Sequence, residues 1–560
     1  MKKVLFAALI LIGLIMGAHS FFSYRRYNVI LITIDTLRTD YIHCYNPGAA
    51  PTPNLDRIAA NGVLFTNAFT LIPITMPSHT AILTSRQPYE LGLFNNGDRF
   101  DHRVPMLSDL LEDKNYTTAA FVSLGVLSKA FGLAQGFDFY DDNFDHTNGR
   151  FYKVASEMNA SVLPWLKKQR DQRFFAWIHY SDPHEPYVSA NAPPDTAIRI
   201  NGHPFTQITL AKKERIHLDF TARPGDNEIE FHAIDNAMAV PNNRKPLSRR
   251  FIDPKVSVQG PDGADLKYGK AWIDIKLRNG QEIRFFEEPT ATITFHNPSS
   301  QPQNVQIRFS GGVWEERVSE VRKNYAGEVQ YADQYIGQLW DRLSQLGLLK
   351  KTIIVVVADH GEGLKTHGIL GHVDKLWNET LHIPFLVYYP NLGYKAKRVD
   401  ALVNTMDVMP TILDLLHIKN KNRMEGITLK RYISRSPVDQ IFSNRNARSW
   451  TYGCTFTPEA AHDSFAITDG KVKVIHTPDK RGWQWEAYDL IQDPIEKKNL
   501  SRFDPQRFDD MATMKGLLES HRREAQMAHE RRKNPGLSPE EEQMLRNLGY
   551  IGGEEKEEKP

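Results

Sequence analysis

Asn28 to Asp35 reads NVILITID, an unbroken run of apolar and β-branched residues closed by a carboxylate. A strand with one wet face alternates polar and apolar residues. A continuous run such as this one describes a strand covered on both faces, as in a parallel sheet flanked by helices. The acid at its C-terminal end stands where open α/β sheets bind ligands. The same pattern returns at Thr352 to Ala358 (TIIVVVA), followed by Asp359 and His360, and at Phe174 to His179, which leads into Asp182 and His184. Between Tyr325 and Leu346 the apolar residues Val329, Ala332, Ile336, Leu339 and Leu343 recur at helical spacing, and Gly347 stops the helix before the next strand. These units predict an α/β fold with a doubly wound, mostly parallel sheet.

Residues 25–194 and 316–420 carry this pattern and form the expected core. From 195 to 315 the sequence changes to short alternating segments, among them Ile229 to Phe231, Thr292 to Phe295 and Val305 to Phe309, separated by turns such as Asn279-Gly280. That stretch predicts an all-β sandwich inserted into the core. Residues 421–505, with Val472 to Ile475 and Glu486 to Leu490 as strands, predict a small C-terminal α+β subdomain. Residues 506–560 predict a helical tail with a disordered end from Gly552.

At the other terminus, Lys2 and Lys3 precede an apolar run from Val4 to Ala18, and Ala18 and Ser20 offer a small-x-small cleavage pattern. Residues 1–24 therefore read as a signal peptide or an N-terminal membrane anchor. Either places the protein in the periplasm or outside the cell, with membrane contact through that segment. The 69 basic and 67 acidic residues are spread along the chain and leave a net charge of +2, so nothing favours a nucleic-acid partner. Cys44 and Cys454 allow at most one disulfide and read as small buried hydrophobes.

Carboxylates and imidazole converging from separate strand ends are what a divalent cation needs, and Asp35, Asp359 and His360 are such a set. Taken alone, Asp359 could equally cap a helix. The segment Pro73 to Arg86, PITMPSHTAILTSR, reads as a loop entering a helix with Pro77 in its first turn. Thr75 then lies at a helix N-terminus, where unpaired N–H groups favour an anion, although Thr75 or Ser78 could also serve only as a cap.

Taken together, NVILITIDTLRTDYIHCY, TMPSHTAILTSRQPYELGL, FFAWIHYSDPHEPY, VVVADHGEGLKTHG and the closing SPEEEQMLRNLGYIGG resemble the sulfatase family of the alkaline-phosphatase superfamily. The resemblance implies a divalent metal (Ca, Mg, Mn or Zn) bound by Asp35, Thr75, Asp359 and His360. It also implies His184 and His372 beside the ester, and His79 and Asp182 as substrate-binding groups. His184 and His372 could instead hold a second ion. In the family, position 75 is a Cys, sometimes Ser, of a C-x-P-S-R motif that is oxidised to formylglycine. Here Thr75-Met76-Pro77-Ser78-His79 departs from it twice. Threonine carries a methyl on Cβ and cannot give an aldehyde, and the arginine is replaced by His79, whose charge depends on pH.

Direct attack by Thr75 on a sulfate, phosphate or phosphonate ester, glycan- or lipid-linked, is the expected chemistry. The alternatives are an envelope transferase of the phosphoethanolamine type and a non-catalytic binding protein. The family's Lys-x-His pair has no counterpart, Lys129 lying only in the general region, and His43, His102 and His367 read as surface or structural histidines.

Overall fold

Asn28–Ile34 forms β1, with every residue buried. It is followed in the core by β2 (Val63–Phe69), α1 (Thr75–Thr84), β3 (Thr117–Phe121), β4 (Phe139–Asp141), α2 (Ala155–Lys168) and β5 (Phe174–Tyr180). The core continues with α3 (Val318–Gln345), β6 (Thr352–Ala358), β7 (Phe385–Tyr388) and β8 (Lys397–Asn404). These eight strands make one sheet in the order β8-β2-β7-β6-β1-β5-β3-β4. Five of its neighbour pairs are parallel, and β7 runs antiparallel to both β6 and β2. The sheet is thus mixed but mostly parallel. Like β1, β5 and β6 are buried along their whole length, as uninterrupted apolar runs require.

The computed structural model describes residues 27–144, 151–185, 187, 196–208, 215–233, 248–252, 257–259, 266–270, 273–276, 282–286, 290–315, 318–373, 375–390, 397–434, 447–456, 463–479, 482–532 and 536–547. The N-terminal segment expected as a signal or anchor, the Asn279-Gly280 turn and the expected disordered end lie outside them. Among the described residues, no helix is long and apolar enough to cross a membrane.

The chain divides into two units. The first comprises Met1–Asn143, Lys153–Pro183 and Val329–Gly536. Besides the core sheet it holds a four-stranded antiparallel sheet of β9 (Thr451–Thr455), β10 (Ser464–Thr468), β11 (Val472–Asp479) and β12 (Gly482–Asp489), and the helix α4 (Ala512–Glu530). The residues expected to stand apart as a subdomain and a tail share one hydrophobic core with the loop before α1. Phe465 and Val474 of the small sheet and Leu518 and Ala525 of α4 are clustered with Ile72, Ile74 and Phe94. The apolar positions Met514, Leu518 and Ala525 fall on one side of α4, which is why it packs rather than trails.

The second unit comprises Phe144–Tyr152, His184–Glu328 and Leu537–Pro560. It contains a five-stranded and a six-stranded sheet, both antiparallel. Ile198, Phe231 and Ile293 from the first and Leu218, Val305 and Ile307 from the second fill a common core, which is the arrangement of a sandwich.

Candidate active site

β1 and β6 run parallel and in register, Ile34 opposite Ala358, so the next residue of each strand, Asp35 and Asp359, emerges side by side. Both are fully buried. Asp359 Oδ1 accepts the N–H groups of Thr36 (3.2 Å) and His360 (2.8 Å), while Oδ2 is buried with no hydrogen-bond partner among the described residues. Burial first, and then the Asp35 carboxylate, push the Asp359 carboxyl well above the usual range. Two neighbouring buried carboxylates can both ionise only with a cation between them.

His360 supplies the third group. Its Nδ1 lies 3.0 Å from the Gly361 carbonyl, which can only accept, so Nδ1 carries the proton and Nε2 presents a lone pair. Nε2 is 3.3 Å from Asp359 Oδ2, 3.7 Å from Asp35 Oδ1 and 3.3 Å from Thr75 Oγ1. Ligand atoms of Asp35, Asp359 and His360 all lie within 4.8 Å of one another. Oxygen and imidazole donors of this kind, with an unpartnered carboxylate oxygen among them, fit a divalent cation.

Thr75 is the first residue of α1 and is fully buried. It does not cap the helix. Ile74 occupies the cap position, leaving the threonine hydroxyl to face His360. Three contacts hold this turn. Ser78 Oγ donates to the Asp359 carbonyl (2.7 Å), tying the helix to the end of β6. The Met76 N–H donates to Asn96 Oδ1 (2.9 Å), and Asn96 Nδ2 is buried without a partner among the described residues. Finally, His372 Nδ1 sits 2.8 Å from the Pro73 carbonyl, with its ring centroid 4.2 Å from that of His360.

The structure reassigns His79. Trp177 Nε1–H donates to Thr33 Oγ1 (2.9 Å), Thr33 Oγ1 lies 3.0 Å from His79 Nε2, and His79 Nδ1 lies 2.8 Å from the Thr75 carbonyl. The carbonyl needs a proton from Nδ1, so Nε2 accepts the threonine proton and the ring is neutral. Burial, and then the His179 ring, push its pKa down to about 3. The expectation of a pH-dependent charge offered to substrate is therefore corrected: His79 is a neutral brace under the Thr75 turn.

Asp182 Oδ1 accepts the Ala155 N–H at the start of α2 (2.9 Å). His184 belongs to the second unit, where its Nδ1 bonds the Glu185 carbonyl (2.8 Å). Of the histidines read as structural, His43 pairs with Asp56 and His367 with Glu379.

Ser78 and Asn96 were not distinguishable as site residues from the sequence, and neither was His179. His179 is buried at the end of β5, with Nδ1 accepting from Ser123 and Nε2 3.6 Å from Asp35 Oδ2. The backbone is tight here as well. Thr36 has φ 55, and a Cβ on Gly361 would come within 2.0 Å of the Glu379 carbonyl oxygen.

Residues 27–418 match the family described as sulfatase, and residues 368–524 match the C-terminal region of N-sulphoglucosamine sulphohydrolase. The chain is 23% identical over 518 residues to an N-acetylglucosamine-6-O-sulfatase of Bacteroides thetaiotaomicron, covering 85% of this chain and 83% of that protein. Its structure is similar to the phosphonate monoester hydrolase of Agrobacterium radiobacter, with a TM-score of 0.57 and 18% identity over 89% of this chain and 96% of that one. It is also similar to a protein solved with its substrate D-glucosamine-2-N,6-O-disulfate, with a TM-score of 0.57 and 18% identity over 92% of this chain and 100% of that one.

Proposed function

The chain belongs to the sulfatase family of ester hydrolases, and from that premise we propose that it cleaves a sugar-linked ester carrying one negative charge, with Thr75 as the nucleophile. The observation that supports this most directly is Thr75 Oγ1 at 3.3 Å from His360 Nε2, beside the two buried carboxylates.

Asp35, Asp359, His360 and Thr75 Oγ would hold a divalent cation, which when bound supplies a Lewis acid able to lower the hydroxyl's pKa. The Thr75 hydroxyl gives up its proton to solvent, and its oxygen forms a bond to sulfur or phosphorus while the bond to the sugar oxygen breaks. His372, fixed through Nδ1 to Pro73, would give the leaving oxygen a proton from Nε2 when doubly protonated. Water then cleaves the threonine ester and releases sulfate, a phosphonate or, from a phosphodiester, a phosphate monoester. The Asn96 amide would meet a non-bridging oxygen.

The preference for a monoanion follows from charge. Two carboxylates balance one divalent cation, and His79 is neutral where the resembling sequences carry an arginine. A sulfate ester, a phosphodiester or a phosphonate monoester adds one negative charge to that balanced site, whereas a phosphate monoester adds two. The threonine also rules out formylglycine, so the attacking group is the hydroxyl itself.

The test is a panel of 4-nitrophenyl sulfate, bis(4-nitrophenyl) phosphate, 4-nitrophenyl phenylphosphonate and 4-nitrophenyl phosphate, with and without chelator, on the wild type and Thr75→Ala. Cation-dependent cleavage lost in Thr75→Ala, and slowest on the phosphate monoester, is expected. Cleavage that persists in Thr75→Ala would overturn the nucleophile.

A further inference from the structure

We propose that the end of the C-terminal helix α4 positions the active-site turn, with Arg532 acting through Asp98 on Asn96. This deepens the proposed function and rests on its assignment of the Asn96 amide to the ester.

Asn96 lies in a short turn, Asn95 to Asp98, closed by the Asp98 N–H on the Asn95 carbonyl (3.3 Å) and by Gly97 at φ 95. Such a turn, with an asparagine pair and a glycine, has little stiffness of its own. Asp98 supplies it. One carboxylate oxygen, Oδ2, accepts the N–H groups of Phe94 (2.7 Å) and Asn95 (2.8 Å), gathering the backbone just ahead of Asn96. The other, Oδ1, accepts Nε (3.1 Å) and Nη2 (2.5 Å) of Arg532, which lies two residues beyond α4. Asp98 is buried and Arg532 mostly so, which shields the pair from screening.

The same helix grips the turn a second time. His529 stacks on Phe94 with centroids 4.6 Å apart and 26° between planes, and its Nδ1 is held by the buried Asp463 at 2.7 Å. Arg532 also lies over the Phe94 ring, 5.9 Å from its centroid. From the far end of the sequence, then, a guanidinium and an imidazole fix the residues that flank Asn96, whose Oδ1 bonds the Met76 N–H beside the nucleophile. Arg532, Asp98 and His529 do not touch the reacting atoms in this arrangement. They are positioning residues, and the end of α4 would serve here as part of the active-site support.

The experiment compares Arg532→Gln, Arg532→Lys, Asn96→Ala and the double variant Asn96→Ala/Arg532→Gln in the full chain with its bound metal. Hydrolysis of bis(4-nitrophenyl) phosphate and 4-nitrophenyl sulfate is measured beside hydrogen exchange of peptides covering residues 74–78 and 93–98. Arg532→Gln is expected to speed exchange in both peptides while leaving β1 and β6 unchanged, and to lower kcat/KM about 10- to 100-fold. Arg532→Lys, which keeps the charge without the two-pronged fork, is expected to recover part of that loss.

In the Asn96→Ala background the arginine substitution is expected to cost nothing further, because both changes remove the same contact. Unchanged exchange in the two peptides, or a loss that simply adds to that of Asn96→Ala, would overturn the positioning role. Full activity of Asn96→Ala would overturn it together with the assignment of the amide to the ester. Full activity of Arg532→Gln alone would leave that assignment standing.

Discussion

β1 and the sandwich strand Thr290–Asn297 are nearly equal in length and opposite in character. All seven residues of β1 are buried, whereas the sandwich strand alternates between buried and partly or fully exposed positions along its length. A strand covered on both faces has no lateral place for a charged side chain, so its polar chemistry is displaced to its ends. In a parallel register those ends coincide, and Asp35 meets Asp359. The sandwich strand sets polar groups along a wet face instead, as where His296 pairs with Asp226 in full solvent. Such a pair is screened and contributes little. The lesson is that concentrated charge belongs to the sheet that hides its faces, and dispersed charge to the one that shows them.

The contrast breaks first at Thr75. Thr75→Ala should lower turnover of the best panel ester about ten-thousand-fold with the melting temperature kept, while Thr75→Ser retains measurable activity. Next, chelation or Asp359→Asn should cost about a thousandfold, with metal content per chain falling in parallel and readdition restoring only the chelated wild type. An Asp359→Asn protein that held its metal and its rate would remove the concentrated charge from the account. In the sandwich the expected loss is of stability. Phe231→Ala empties a shared core position and should destabilise that unit by about 3 kcal/mol, read by denaturant unfolding, with kcat per folded molecule unchanged.

A further effect concerns pH. Burial lowers the pKa of His79 to about 3, and of His476 and His521 to about 4, from 6.5, so these rings are neutral in the fold and take up protons when it opens. Their contribution is complete above pH 6.5 and is lost as pH falls toward 4. Near-neutral to acidic melts should show the decline, each ring adding up to about 1.4 kcal/mol per pH unit. His521→Leu should flatten it, and an unchanged slope would remove His521 from the set.

Much of the core was legible. Continuous apolar runs disclosed β1, β5 and β6, and the acids and histidine that follow β1 and β6 are the ones the structure gathers around Thr75. The helix α3 begins seven residues before the expected Tyr325, and Val318 and Val321 extend the same apolar spacing through its first turns. β7 could not be read as antiparallel, since a short buried run has the same composition in either direction. His79 was misjudged for a physical reason. Sequence shows that a side chain lies near a site but not which way it turns, and Thr33, which claims the ring, is distant in the chain. Asn96 was hidden for a related reason: Asn95-Asn96-Gly97 reads as an ordinary turn until Met76 is seen against it.

The run from Trp177 through Thr33 and His79 to the Thr75 carbonyl has a sense of travel. An indole N–H can give a proton bond and never take one, so every later hydrogen along the line must point toward the nucleophile's turn. His79 therefore has no lone pair left with which to receive the Thr75 proton, and that proton must leave on the opposite side. The indole is also a listening post. Any shift in electron demand at the threonine is passed back through three hydrogen bonds, and the Trp177 N–H resonance should move when an ester or its anion occupies the site.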